Sequence, residues 1–169
     1  RLTGSGEGAA ISQLYGRMRL AGHVIWASQF QEVTHVSGGG KGGPPTPKTT
    51  EYSYTVSLAI ALCEGEITSI GRVWADGALL RGAAGDLKVG GTMRLYRGVG
   101  DEACDPLMAA SLGNRASALR GLAYVVFEDL ELASFGNRIP ALSFEVKAGD
   151  GTLDIVDLLD GVRLDPGTS

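Results

Sequence analysis

The chain has 169 residues, a formal net charge of −4 and 20% charged residues, a size and composition that fit one domain with a single core. The acidic balance excludes general affinity for nucleic acids, which requires clustered lysines and arginines, and the longest apolar runs fall short of the ~20 residues that a membrane helix needs. Two cysteines are too few to staple such a domain, which favours free thiols and a cytosolic origin, and the 26 glycines favour β structure with many turns.

The first predicted elements are two short strands. Over residues 14–20, apolar side chains alternate with polar ones, which predicts a strand with Arg17 and Arg19 on one face. The dipeptide at 21–22 can turn the chain into a second strand over 23–33. This stretch therefore predicts a strand pair.

A Gly- and Pro-rich segment separates this pair from the clearest strand. After its first residue, segment 36–50 contains only Gly, Pro, Lys, Ser and Thr, which predicts a mobile loop. The strand over 52–63 has one face of small side chains, which we expect to pack against a second layer, a barrel wall or a partner chain. Its other face must meet a core, and carries Tyr52, Tyr54, Val56, Leu58, Ile60 and Leu62.

The rest of the chain is predicted to form further strands and two helices. The Asp-Gly pair at 76–77 is typical of a tight hairpin turn, and Asp105 with Pro106 supplies a cap and a first-turn proline for a helix that starts late. The predicted strands cover 67–75, 93–97, 119–128 and 139–146, and the predicted helices cover 101–111 and 152–160.

These elements indicate an α+β fold that is predominantly β. Helical patterns do not alternate with strands, which disfavours a parallel βαβ architecture. An antiparallel barrel or sandwich with two short helices is expected instead. Residues 1–148 form the β-rich domain in this interpretation, and 149–169 form a helix or linker toward the next domain of a longer polypeptide.

The sequence offers few groups for chemistry. Of the two histidines, His23 lies in a predicted strand, where a structural imidazole is the simpler interpretation. The glycine-rich run 38–43 lacks the Ser or Thr that follows the lysine of a phosphate-binding loop, and the cysteines and histidines are too dispersed for zinc. No catalytic residue, cofactor site or metal site is predicted. A pair of glycosidase carboxylates or a solvated turn would both explain Glu128, Asp129 and Glu131.

Four residues are candidates for a subunit interface. A guanidinium at Arg17, Arg19 or Arg138 can bridge to a neighbouring subunit's carboxylate or carbonyl groups. An intramolecular salt bridge or an exposed strand face explains these arginines equally well. Trp26 is the fourth candidate, as an interface anchor or a core residue.

Several segments carry a family resemblance. From about residue 8 to 146, in a consistent order, the chain resembles tail-tip proteins of long-tailed phages, and above all the large baseplate hub protein of gene transfer agents. Residues 12–13 and 87–92 depart from the family pattern. The segments that carry the resemblance are the run 14–26, Tyr52-Ser-Tyr54, Ile67 to Gly77, Arg94-Leu-Tyr-Arg-Gly98, Arg120 to Glu128 and Phe135-Gly-Asn-Arg-Ile-Pro140.

The resemblance implies a structural hub domain without a cofactor. Its partners would be two further copies in a homotrimeric ring, the distal tail protein, and other domains of the same long polypeptide. DNA would pass through the ring without being specifically bound, and this segment would not insert into a membrane. The domain would reside at the tail tip of a virion or gene-transfer-agent particle that is assembled in the bacterial cytoplasm. A phage-associated cell-wall glycosidase and a carbohydrate-binding receptor module are the alternatives.

Overall fold

Antiparallel strands dominate the computed structural model, which describes residues 16–38, 42–43 and 47–147. One α-helix and two short 3-10 helices, Gly113–Leu119 and Ala133–Phe135, complete this part of the chain. None of its helices has the length and apolar character needed to cross a membrane. The elements are β1 (Arg17–Ala21), β2 (His23–Ala27), β3 (Gln31–Ser37), β4 (Thr49–Glu64), β5 (Ser69–Ala75), β6 (Ala78–Arg81), β7 (Thr92–Arg97), α1 (Pro106–Leu112), β8 (Leu122–Glu131) and β9 (Leu142–Lys147).

The strands form two sheets that face each other. Sheet A has the order β1-β9-β5-β6, and sheet B has the order β2-β4-β8-β7, with β3 also paired to β4. Buried apolar residues from both sheets share one core. The predicted α+β, predominantly β fold is confirmed. Of the two expected architectures, barrel and sandwich, the structure is a sandwich, because its sheets do not close into a barrel.

The bulky face of β4 supplies the centre of this core. Leu58 and Ile60 are completely buried, and the rings of Phe127 and Phe144 approach from the two sheets with centroids 6.5 Å apart. The predicted inward face is thus confirmed over most of the strand. It is wrong at Tyr52, which is 57% exposed, because this part of β4 lies beyond the point where β8 ends its pairing.

A third layer covers the outer side of sheet B. The small Ala59 of β4 packs there with Tyr124 and Val126 of β8, beneath Met108 of α1 and Leu119 of the first 3-10 helix. Small side chains on this face of β4 leave room for the helical layer. The expected packing against a second layer is therefore confirmed, and α1 is the element that packs there.

The predicted pairing of the first two strands is wrong. β1 pairs with β9 in sheet A, whereas β2 pairs with β4 in sheet B. Gly22 joins them at a corner between the sheets, and its N–H donates to the carbonyl of Leu142 at 2.8 Å. A Cβ at this position would lie 2.5 Å from both Ile60 Cγ2 and Phe144 Cε1. Glycine is required here because the backbone passes directly over the core.

The strand predicted over 23–33 is instead two strands, β2 and β3, and other boundaries differ by a few residues from those expected. The Asp76-Gly77 turn is confirmed, with φ angles of 50° and 85°, and the helix starts late at Pro106 as the capping signal allowed. β6 was not among the predicted strands. It follows the Asp76-Gly77 turn and pairs with β5 to complete the hairpin. The predicted loop is shorter, since β3 and β4 extend into it. The helix over 152–160, the segment 149–169 and loop residues 39–41 and 44–46 lie outside the described residues.

The corner glycine gives a stability prediction. Gly22→Ala should lower the free energy of unfolding by about 1–3 kcal/mol, because the added methyl overpacks the core against Ile60 and Phe144. Urea denaturation followed by tryptophan fluorescence measures this change. Gly100→Ala is the control, since no heavy atom lies within 4 Å of a Cβ placed there. Equal stabilities of the two variants would contradict the close approach.

Candidate interaction surface

The side of sheet A that points away from the core is predominantly basic. Four of its outward side chains are cationic and one is a carboxylate, although the chain as a whole carries a net charge of −4. Strand register determines this set, because alternate residues of paired strands share one face. We define the sheet A face by its outward residues: Arg17, Arg19, Arg72, Trp74, Leu79, Ser143, Glu145 and Lys147.

Glu145 organises the basic side chains around it. Arg72 donates to this carboxylate from Nη2 at 3.0 Å and from its backbone N–H at 3.1 Å, and Arg17 Nη1 lies 3.6 Å from Oε2. The hydrogen bond from the Arg72 side chain is the main reason that the pKa of Glu145 falls to about 2, with smaller contributions from the Arg72 backbone and the Arg17 charge. Gly71 leaves room for the carboxylate, which a Cβ there would strike.

Trp74 lies at the centre of the sheet A face. The guanidinium carbon of Arg19 lies 3.9 Å from the ring centroid, and that of Arg72 lies 5.4 Å away. Arg19 also donates from Nε to Ser143 Oγ at 3.0 Å. Cation–π contacts of this kind are favourable even at exposed sites. The ring and two arginines therefore form an ordered aromatic and cationic patch.

The structure brings together only two of the four predicted interface residues. Arg17 and Arg19 both lie on the sheet A face. Arg138 instead donates from Nη2 to Asp76 Oδ2 at 2.6 Å, within the same chain, and Trp26 packs in the apolar layer beneath α1. A subunit-interface role for these residues stays a prediction.

Sequence analysis missed the partners of Arg17 and Arg19 on this face. Alternation along the last strand places its apolar residues inward and Glu145 outward. The alternation does not reveal which strands are neighbours, and Arg72 and Trp74 come from β5, which pairs with β9. Only the sheet order brings these residues together.

A second polar cluster attaches α1 to sheet B. Asp105 is completely buried and accepts hydrogen bonds from Arg94 Nε at 2.6 Å and from Tyr96 Oη at 2.5 Å. Its other oxygen caps the helix by accepting the Leu107 N–H at 2.8 Å. The Asp105 N–H donates to Tyr124 Oη at 3.1 Å. Through its carboxylate and its backbone N–H, Asp105 thereby connects β7 and β8 to the start of the helix.

Opposing effects determine the protonation of this cluster. Burial raises the pKa of Asp105, but the hydrogen bonds from Arg94 and Tyr96 outweigh burial, so that the pKa lies below its ordinary value. Burial, followed by the hydrogen bond to Asp105, raises the pKa of Tyr96 to about 12. At neutral pH the cluster is an ionised carboxylate with a cation and a neutral phenol, an arrangement that stabilises structure.

Two of the three carboxylates considered for a glycosidase bind groups of their own chain. Glu128 accepts from Arg94 Nη1 at 2.9 Å, and Glu131 accepts the Gly90 N–H at 3.2 Å. Asp129 has a φ angle of 52°, as in a tight bend. These contacts account for the three residues as parts of a strand end and its neighbouring loop. They provide no observation in favour of hydrolysis.

Neither cysteine forms a disulfide, as expected. Burial raises the pKa of the Cys63 thiol to about 11, so this side chain is a core residue rather than a nucleophile. Cys104 lines a cavity of about 240 Å³ together with Glu102, whose carboxylate accepts the N–H groups of residues 97 and 98. Across the described ranges there is no group of three or more side chains suited to hold a metal ion.

Comparison with known proteins gives one informative similarity. No family model and no curated protein matches the chain. The chain is similar to a protein chain in a solved structure described as the virion of a native gene transfer agent particle, with 42% sequence identity over 92% of this chain and a TM-score of 0.56. It spans 31% of the length of that chain. The similarity agrees with the resemblance to a gene transfer agent protein.

The buried cluster gives a second stability prediction. Arg94→Met should lower the free energy of unfolding at pH 7 by about 3–5 kcal/mol, because it leaves the buried Asp105 carboxylate without its cation. Chemical denaturation measures the loss. Arg138→Met is the control, since its ion pair with Asp76 is exposed and should contribute no more than about 1 kcal/mol.

The pH dependence of the same variant tests the cause. In the wild type, the stability contributed by Asp105 is present above the ordinary aspartate pKa of about 3.9 and is lost as the pH falls through its lowered folded pKa. Without Arg94, burial outweighs the remaining hydrogen bonds and raises the pKa of Asp105 in the folded state. Protonation of Asp105 at low pH then removes the unpaired buried charge from the variant. The stability difference should therefore shrink between pH 7 and about pH 3. A constant difference would show that lost packing is the cause.

Proposed function

We propose that this chain is a structural domain of the tail-tip baseplate hub in a gene-transfer-agent or phage-like particle. The observation that carries the proposal is the 42% identity, over 92% of this chain, to a chain of a gene transfer agent virion. Similarity of that extent supports a common fold and a structural, non-enzymatic role in a particle. The segments that resemble baseplate hub proteins, in a consistent order along the chain, support the finer placement at the tail tip.

The proposed mechanism is mechanical. Two sheets with one shared core and a helical third layer form a rigid body, whose outer surfaces hold neighbouring subunits in position. In this proposal three copies form a ring on the particle axis, between the distal tail protein and more peripheral receptor-facing domains. The ring surrounds the channel through which DNA leaves, and a chain with a net charge of −4 suits passage without specific binding.

The location proposed here follows from the same assignment. The domain would be part of a longer polypeptide, in keeping with a related chain of which it spans 31%. That polypeptide would fold in the bacterial cytoplasm and remain in the finished virion at the end of the tail.

Labelling of particles tests the proposal. An antibody raised against residues 16–147, coupled to gold and applied to negatively stained particles from the producing cells, should mark the tail tip at one end of each tail. Particles incubated with pre-immune serum provide the background. Label on the capsid, along the tail tube, or on no particle fraction would contradict a tail-tip hub.

A further inference from the structure

The hairpin formed by the two strands before and after the Gly- and Pro-rich loop extends beyond the sandwich. We define the β3–β4 arm as residues 31–37 and 49–54. β8 pairs with β4 only from Thr55 onward, and the Tyr54 carbonyl at the base of the arm accepts the Leu132 N–H at 2.9 Å. Beyond that base, within the described residues, the arm is a two-stranded ribbon. At ~3.3 Å per residue, seven residues extend about 20 Å. All seven residues of β3 are exposed.

Such a ribbon is weakly stable by itself. A two-stranded hairpin in water is marginal unless a third strand or another surface covers it, and its open edges present unpaired backbone groups. The β3–β4 arm also exposes apolar side chains, with Val36 63%, Tyr52 57% and Val33 36% accessible. The arm therefore has the properties of an element that another surface covers in an assembly.

The charge of the β3–β4 arm indicates the kind of surface. Glu32 and Glu51 are exposed on opposite faces of it, since Glu32 lies opposite Tyr54 and Glu51 lies opposite His35, and the two strand segments contain no lysine or arginine. Tyr52 and Val36 lie on the same face of the ribbon as Glu32, by the register of the two strands. A basic surface with an exposed apolar centre would complement this face.

The sheet A face has these complementary properties. It carries four basic side chains against the single carboxylate Glu145, around Trp74 and the 41% exposed Leu79. Arg17 and Arg72 retain side-chain exposures of 63% and 47%. An acidic, apolar arm and a basic, apolar face thus occur as separate surfaces on the same chain.

We infer that the β3–β4 arm of one copy binds the sheet A face of the next copy. The two surfaces are different, so the contact is head-to-tail, and successive contacts close into a ring when the rotation between copies permits. The inference rests on the proposed hub function for its setting and names the contact that would build the ring. A protein segment with apolar side chains suits this face better than a nucleic acid, because Trp74 and the exposed Leu79 offer it an apolar contact.

Charge reversal of each surface tests the contact. The arm variant is Glu32→Lys with Glu51→Lys, and the face variant is Arg17→Glu with Lys147→Glu, which leaves Arg72 and Trp74 in place. In sedimentation velocity on the full chain at low salt, each variant should raise the dissociation constant of self-association about tenfold or more. Arg115→Glu with Arg120→Glu is the matched control, since these exposed arginines lie outside both surfaces and give the same change in net charge as the face variant.

Mixing the variants distinguishes a head-to-tail contact from a symmetric one. An equimolar mixture should associate more tightly than either variant alone, because the unaltered arm of the face variant meets the unaltered face of the arm variant. A chain that carries all four substitutions should regain self-association, since the charges are exchanged. Circular dichroism melts of all variants verify that each one is folded.

Several outcomes would overturn the inference. These are a wild-type chain that stays monomeric at the highest attainable concentration, variants that associate like the wild type, or a mixture that associates no more tightly than either variant alone. Binding of duplex DNA that is lost in the face variant alone, without self-association, would assign the face to nucleic acid instead. None of these results affects gold labelling at the tail tip, so failure of this contact and failure of the proposed hub function are separable.

Discussion

The fold depends on one strand that is buried on both faces. β4 pairs with β2 and β3 along one edge and with β8 along the other, its bulky residues meet sheet A, and its small residues meet α1. Leu58 and Ala59 are neighbours in sequence and both are completely buried, in different layers. Alternation of side-chain size along this strand therefore sets the distance to both neighbouring layers, and every other element packs in relation to it.

Two clusters of ionic groups serve different purposes in this arrangement. Asp105 is completely buried, and the three hydrogen bonds that its carboxylate accepts from Arg94 and Tyr96 hold α1 against sheet B, so its charge is used for the fold itself. Glu145 lies on an open face among arginines whose side chains remain largely exposed. Its contacts fix the directions of Arg72 and Arg17 without removing them from solvent. The first arrangement favours stability, and the second leaves charge available for recognition.

Local sequence patterns predicted the elements better than their arrangement. The alternation along β4 from Val56 onward, the Asp-Gly turn and the Asp105-Pro106 helix start are local signals, and the structure confirms them. Strand partners are not encoded locally. The run through Gly22 has the pattern of a hairpin, yet its two halves lie in different sheets, because a glycine that turns a hairpin and one that crosses a corner look the same in sequence.

The candidate surface shows the same limit. Arg17 and Arg19 could be found from their own strand, and their outward direction follows from alternation. Trp74 and Glu145 join them only through the order β1-β9-β5, which needs the long-range pairing of segments more than fifty residues apart. The Arg138 contact with Asp76 likewise depends on a hairpin turn meeting a distant loop, so the sequence around Arg138 does not distinguish an internal partner from an external one.

The pairing of Arg17 with Lys147 has a mechanical consequence. The start of β1 and the end of β9 lie side by side in an antiparallel ladder, so a force that separates these two points would open the hydrogen bonds one after another, as in a zipper. Strands loaded in shear break their bonds together and resist far more. A force that pulls these two points apart would therefore separate β1 from β9 more easily than a force directed along the two strands.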